Sequence, residues 1–469
     1  MGLDSAVFLL FLAGIAGIHA ALPTRCRVTA LLAASLIFYA VSSVDYLVLM
    51  LALCGINYFA VRGLSRMMDQ RRRTWIYMGS VGLNLAVLIT FKYAAGLVGA
   101  ALAWYGWPVE NGSAVVRLAA PLGISYFTFQ MLACVTDAYW GKWQLEHGFP
   151  QFLLFGTFFP QISSGPIPRA DRLLPQLSGG GGPTTEDRLA GLRLIAFGFF
   201  KKYVVANRLN EYVPAVFANP AGLGTVAVVL ACGFNVLQLY ADFSGYVDIA
   251  IGSARFLGIR LDPNFNEPFK STSVTELWRR WHMTLSFWLR DYLFMPLLVL
   301  IRDLGKLGVA LALVVTFAIC GIWHAASWTY LLFGISQGVA MSGEYLTQSW
   351  RAKHLQGFPK FWVARAGNLY VLGFFALTEV LFRSTNLSQA RAVYACLLHP
   401  QSAGWFAGPP ESRRFFLALD FAAVACWIGV AYLYRRNSIR ATPWFLLLCA
   451  GLILFLGRLG SAHFIYAAF

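Results

Sequence analysis

Charge is what this sequence has least of. Asp, Glu, Lys and Arg make up 12% of its 469 residues, against about 25% in a soluble globular chain. Acidic groups are the scarcer sign: 21 against 37 Lys and Arg, a balance of +16. So few charges beside 58% apolar residues exclude a disordered chain and leave too much apolar surface for an ordinary soluble enzyme of this length. Several catalytic signatures are missing too. There is no GxxxxGK[ST] phosphate loop, so the chain is not by itself an ATP-driven pump. It shows no HExxH zinc pair, and no serine nucleophile elbow is read in it. The eight cysteines contain no CxxC pair and lie mostly inside apolar stretches, as small hydrophobes and not as a disulfide framework or metal site.

What remains is an all-α polytopic membrane protein. Apolar runs occur near 6–22, 28–41, 45–61, 75–92, 94–107, 117–136, 149–163, 189–206, 222–241, 243–257, 283–301, 307–323, 327–346, 362–382, 415–434 and 443–459. A span needs about 20 residues, so the shortest runs are expected to be re-entrant or broken, leaving about eleven crossings. The first run has Asp4 before it and Arg25 and Arg27 after it, and reads as a retained helix with its N-terminus outside. The loop at 42–45 carries no positive charge, and the next holds Arg62, Arg66, Arg71, Arg72 and Arg73. That alternation places the first and third loops in the cytoplasm. It explains the basic balance without nucleic acid. The chain reads as one integral-membrane domain, 1–469, with N-terminal helices over 1–110, a core over 111–350 and C-terminal helices over 351–469. Gly179–Gly182 and Pro183 form a linker before a helix capped by Thr184 or Thr185. No internal repeat of the transporter kind is present.

Polar groups inside apolar runs are the candidates for function, because an ionisable side chain in a span is costly. His324, in Trp323-His324-Ala325, follows one apolar run and precedes another, so it sits at a helix end or break. A buried neutral imidazole suits deprotonation of a hydroxyl that attacks an acyl group; a packed, hydrogen-bonded histidine fits the pattern equally. Trp278-Arg279-Arg280-Trp281-His282 makes a basic aromatic patch. It is either a membrane-interface girdle or a platform for a phosphate-bearing acyl carrier. Asp242, Ser244 and Asp248 lie in one apolar stretch. Gly245 is expected to break the helix there so that the two aspartates share a cavity. Proton relay, an ion pair with a nearby Arg and a bond to unwound backbone all remain open.

The order of several stretches resembles the membrane-bound O-acyltransferases, and among them the bacterial branch containing the alginate O-acetylation membrane subunit. These stretches are 121–130 (PLGISYFTFQ, with Gln130), 158–169 (FFPQISSGPIPR, with Gln161), 242–246 (DFSGY), 278–282 (WRRWH), Trp323-His324 and Phe464-Ile465-Tyr466. The resemblance implies a barrel of tilted helices around a central tunnel, lined by polar groups among which Asp242, Ser244, Asp248, Gln130 and Gln161 are candidates. His324 falls on the family's catalytic histidine and His282 on a second one required in this branch. Ala325 stands where relatives carry glycine, which bears on how closely an acyl chain approaches. Arg279, Arg280, Trp278 and Trp281 would receive the donor at the cytoplasmic mouth, the two tryptophans at headgroup level. The implied activity is acetyl transfer from acetyl-CoA, with no permanently bound cofactor, across a bacterial inner membrane to a secreted polymer such as alginate or cellulose. The implied partners are a periplasmic acetyltransferase, a polysaccharide synthase complex and membrane lipids. D-alanyl transfer to teichoic acid is the sister reading, and a polysaccharide or lipid-linked transporter the rival of another class.

Overall fold

The computed structural model describes residues 2–104, 121–178, 182–221, 223–399, 412–436 and 442–459. The Phe464-Ile465-Tyr466 motif, the glycines at 179–181 and residues 105–107 and 117–120 of two expected spans lie outside them. Every element described is helical, as expected of a chain that must satisfy its backbone inside lipid. The helices are α1 (Ala6–Ala21), α2 (Thr24–Ser43), α3 (Leu47–Arg66), α4 (Gln70–Trp104), α5 (Ile124–Tyr139), α6 (Phe149–Thr157), α7 (Ala170–Ser178), α8 (Thr185–Phe200), α9 (Asn207–Ala218) and α10 (Thr225–Phe256). Then follow α11 (Val274–Arg280), α12 (Met283–Leu289), α13 (Met295–Leu300), α14 (Gly305–His324), α15 (Trp328–Leu346), α16 (Gln348–His354), α17 (Lys360–Arg383), α18 (Leu387–Leu398), α19 (Ser412–Arg436) and α20 (Thr442–Leu456).

Among the described residues eight helices are long and apolar enough to cross a membrane, with α1 and α20 as shorter apolar helices. Several runs merge into one helix. The described parts of the runs at 75–92 and 94–107 fall in α4, and α10 takes in most of those at 222–241 and 243–257. The run at 149–163 yields only the nine residues of α6. Gly245 therefore does not break its helix. A Cβ there would meet the Gly198 carbonyl oxygen at 2.9 Å and Lys201 Cβ at 3.3 Å. The missing side chain admits a close approach of α8.

The chain divides into two compact units, Met1–Ile195 with Tyr246–Asp262, and Ala196–Gly245 with Pro263–Ala468. In the first, Phe8, Phe38 and Phe159 pack edge-on and tilted at 5.9–6.2 Å. Asn57 and Asn84 exchange amide hydrogen bonds of 3.2 and 2.8 Å between α3 and α4, the polar glue that apolar solvent favours. Gly123 precedes α5 with φ 69°, where a Cβ would lie 1.8 Å from the Ile162 carbonyl oxygen; only glycine fits there.

The N-terminus of α8 is a capping box. Asp187 N donates to Thr184 Oγ1 at 3.0 Å, and Thr184 Oγ1 donates back to Asp187 Oδ2 at 2.8 Å, which makes Thr184 the capping threonine. Arg260 and Arg255 reach Asp187 Oδ1 at 3.1 and 3.4 Å. The Thr184 hydroxyl, then the Arg260 guanidinium, hold the Asp187 carboxyl below its usual range against the opposing effect of burial. A carboxyl lowered in the folded state stabilises the fold above the unfolded value of about 4, and the stabilisation fades as pH falls through the lowered value. Asp187→Asn should therefore melt below wild type at pH 7, and the gap should close as thermal scans in detergent move below about pH 4.

Among the described residues the second unit holds two π turns, at Lys201–Ala206, between α8 and α9, and at Arg290–Phe294, between α12 and α13. Such turns concentrate at functional sites. Its helices α14 and α15 pack with little between them. A Cβ on Gly334 would sit 2.1 Å from the Phe317 carbonyl oxygen, and one on Gly321 2.2 Å from that of Tyr330. Small residues let these backbones touch.

Candidate active site

All of the following groups lie in the second unit unless stated. His324 is the last residue of α14, with Ala325 as its extended cap, so the expected helix end is where the histidine falls. It is 3% exposed. Its ring lies 4.7 Å from Trp323, 5.1 Å from Phe382 and 6.3 Å from Tyr330, between centroids. Tyr330 and Phe382 are themselves 4.9 Å apart. Three rings from α14, α15 and α17 thus wall the imidazole. They exclude water, which strengthens any charge interaction made there.

His282 joins α11 to α12 and immediately precedes the candidate span Met283–Leu300. Its backbone is left-handed, φ 44°, a costly conformation for a side chain of this size. Asn264 holds it. The Asn264 Oδ1 accepts from Thr284 N at 3.1 Å and Thr284 Oγ1 at 2.9 Å, and it lies 3.2 Å from His282 Nδ1. An oxygen that accepts from a backbone N–H is an acceptor for the imidazole too, so Nδ1 carries the hydrogen and Nε2 keeps the lone pair. Burial lowers the pKa of His282 well below the ordinary imidazole value and keeps the ring neutral. Phe243, of the 242–246 stretch, meets it edge-on at 4.8 Å.

The short helix α11 is fixed at its start. Ser273 Oγ accepts from Glu276 N at 3.0 Å, and the Glu344 carboxylate of α15 accepts from Thr275 N at 2.9 Å and Thr275 Oγ1 at 2.7 Å. An acid at a helix N-terminus meets the positive end of its dipole. Trp278 and Trp281 are 5% and 2% exposed, so both indoles pack inside the protein. Trp278 Nε1 donates to Gln337 at 3.3 Å, and Gln337 Nε2 donates to Thr378 Oγ1 at 2.9 Å. Trp281 packs among Tyr240, Phe265, Phe269 and Phe375. Their indoles are core because α11 is flanked by α15 and α17, a circumstance absent from the local pattern. Arg280 is taken up by Glu276, Nη2 to Oε1 2.8 Å. Arg279 is exposed.

Asp242 pairs with Lys202, and Ser244 Oγ accepts from Lys201 Nζ at 2.9 Å. The partner of Asp242 in this ion pair is a lysine of the π turn. All four side chains are buried. Asp248 belongs to the first unit and is half-buried. On an unbroken helix the six-residue offset from Asp242 turns it about 240° away, so the expected shared cavity loses its basis. Gln130 and Gln161, also in the first unit, both donate to the Phe155 carbonyl oxygen, at 2.6 and 3.0 Å. That oxygen lies in the last turn of α6 and has no helical partner; the two glutamines cap it.

Lys201, Lys202, Asn264, Tyr330 and Glu379 are site-forming residues that the sequence reading missed. The two lysines and Glu379 carried the signal, an ionisable group in an apolar run. One string was overlooked: Gly334-Ile335-Ser336-Gln337-Gly338 has GxSxG spacing. It lies inside α15, and Ser336 Oγ donates to the Phe333 carbonyl oxygen at 2.6 Å. A nucleophile elbow needs a strand-to-helix turn, so the serine is a helix residue. A cavity of about 1210 Å³ opens elsewhere in this unit, lined by Glu344, Arg351, Lys360, Trp362 and Tyr370 among others; neither histidine lines it.

Comparison with known proteins decides the class. Residues 144–383 match the membrane-bound O-acyltransferase family, a stretch that contains Asp242, His282 and His324. The chain belongs to that family. It is 34% identical over 419 residues to a probable alginate O-acetylase AlgI of Azotobacter vinelandii, covering 85% of this chain and 78% of that protein. It is 31% identical over 394 residues to a peptidoglycan O-acetyltransferase of Helicobacter pylori, covering 77% and 72%. A teichoic acid D-alanyltransferase of Bacillus subtilis is 31% identical over 252 residues, 51% of this chain and 62% of that one. This membrane-bound O-acyltransferase is thus a multi-pass membrane enzyme of the alginate O-acetylase-like branch.

Proposed function

We propose that the enzyme moves an acetyl group from cytosolic acetyl-CoA across a bacterial inner membrane for O-acetylation of a secreted polysaccharide of the alginate or cellulose type, with His324 as the base. The observation that carries this reading is the buried His324 at the end of α14, walled by three rings. The acceptor hydroxyl gives its proton to the imidazole as its oxygen attacks the thioester carbonyl. The C–S bond then breaks and the thiolate takes the proton back. His282, neutral and oriented by Asn264, is the second imidazole of the site. Arg279, whose guanidinium is exposed, offers forked donors to the donor's phosphates; Arg280, engaged by Glu276, is a lesser candidate. Asp242 and Ser244 hold the fold of the second unit around the site, and Asp248, Gln130 and Gln161 are polar groups of the first unit. A periplasmic acetyltransferase and a polysaccharide synthase complex are the partners that finish the transfer.

The second reading, D-alanyl transfer, is favoured by the teichoic acid relative. Inside-out vesicles from cells producing the enzyme separate the two. Given labelled acetyl-CoA, they should place label in polymer within the lumen. Label that enters only from a D-alanyl carrier-protein thioester would replace the acetyl reading by its sister, and solute flux without any acyl donor would overturn both.

A further inference from the structure

The cavity of about 1210 Å³ in the second unit has no part in the chemistry above. It lies at the corner where α15 leads through α16 into α17, and it exceeds the about 300–1,000 Å³ of an ordinary small-molecule pocket. One wall is small and apolar, with Ala340 and Gly343 from α15 and Val363, Ala364 and Gly367 from α17. Two cations, Arg351 and Lys360, share the lining. Arg351 is held in place: Nη2 donates to the Glu344 carbonyl oxygen at 2.6 Å and Nε to Thr347 Oγ1 at 3.2 Å. Among the described residues neither cation forms an ion pair. The one acid in the lining, Glu344, has its carboxylate engaged by Val274 N, Thr275 N and Thr275 Oγ1 of α11.

The surroundings carry the same two characters. Residues 347–365 hold Arg351, Lys353, Lys360 and Arg365 and no acid. Trp350, Phe358, Phe361 and Trp362 are exposed there. Aromatic rings beside cations suit the level of lipid headgroups. The side of the membrane follows from the helix pair. Ser342 Oγ of α15 donates to the Ala310 carbonyl oxygen of α14 at 2.9 Å, so the end of α15 lies beside the start of α14, where Lys306 adds to the basic cluster. Basic loops face the cytoplasm, and basic pockets between helices on that side take the heads of anionic lipids.

We propose that this cavity seats an anionic phospholipid of the cytoplasmic leaflet. Its phosphate lies between Arg351 and Lys360. Arg351, steadied through Nε and Nη2, keeps its Nη1 hydrogens for the phosphate oxygens. The acyl chains run along the apolar wall between α15 and α17. A free phosphate would leave that wall and most of the volume empty, which is why the occupant is a lipid.

The test uses the full chain in detergent with phosphatidylglycerol that carries a photoreactive acyl chain. After illumination, label should fall in peptides spanning 340–367, read by mass spectrometry. A cation near a lipid surface favours an anionic head about fivefold. Unlabelled phosphatidylglycerol should therefore compete about 30-fold more effectively than phosphatidylcholine, and inorganic phosphate or acetyl-CoA should not compete. Lys360→Gln should weaken phosphatidylglycerol about fivefold, and Lys360→Gln with Arg351→Gln about 30-fold. The single variant decides if the double folds poorly, because Lys360 is exposed and makes no hydrogen bond or ion pair among the described residues. Label outside 340–367, equal competition by the two lipids, or undiminished affinity in Lys360→Gln overturns the proposal. Competition by inorganic phosphate would make the site one for a free anion, and competition by acetyl-CoA would give it to the acyl donor; either result also overturns the lipid seat.

Discussion

Replacing His324 by alanine is expected to abolish acyl transfer while the protein still inserts in the membrane. The ring makes aromatic contacts with Trp323, Tyr330 and Phe382, so its loss removes packing as well as a proton acceptor. His324→Phe separates the two. It keeps a ring within the three walls and supplies no nitrogen. General-base assistance contributes about 10²- to 10⁴-fold to a rate, and both variants should fall by at least that much in label transferred per mole of inserted enzyme. A packing role predicts the opposite order, with alanine damaged and phenylalanine near wild type. Retained transfer in His324→Phe would therefore take the base away from this residue, and His282, with its lone pair fixed on Nε2 by Asn264, would be the imidazole left to examine.

Much of this site was legible because lipid makes polar residues conspicuous. His324 could be placed at a helix end from the apolar runs on either side of it, and α14 ends there. The capping of α8 could be read from Thr184 and Asp187 three residues apart. What could not be read depends on contacts between distant segments. Asn264 lies 18 residues before His282, and nothing in its neighbourhood marks it as the group that orients the ring. Trp278 and Trp281 look like interface anchors in isolation, yet α15 and α17 bury them. Gly245 misled because glycine both breaks helices and lets them touch; the carbonyl of Gly198 at 2.9 Å from its missing Cβ selects the second. Lys201, Lys202 and Glu379 are a different kind of miss. The rule that singled out Asp242 applied to each of them, and the structure shows the pair that results when it is applied evenly.

That pair carries the largest expected stability effect. Lys202 and Asp242 form a salt bridge with side chains 1% and 4% exposed, joining the π turn after α8 to the middle of α10. Removing one partner strands the other charge in a dry interior, at a cost of about 3–5 kcal/mol, a large part of the about 5–15 kcal/mol that holds an ordinary domain folded. Asp242→Ala should therefore reduce both the amount of inserted protein and the melting temperature in detergent, and so should Lys202→Ala. The double variant Lys202→Met with Asp242→Leu fills the volume and leaves no charge behind. Such replacements are often neutral or stabilising, so folded protein should return. Acyl transfer should return with it, because the Lys202 amine and the Asp242 carboxylate are engaged with each other. A double variant that folds and inserts but transfers no acyl group would move the pair from the frame of the site into its chemistry. The π turn would then be the device that carries a lysine to the reacting atoms.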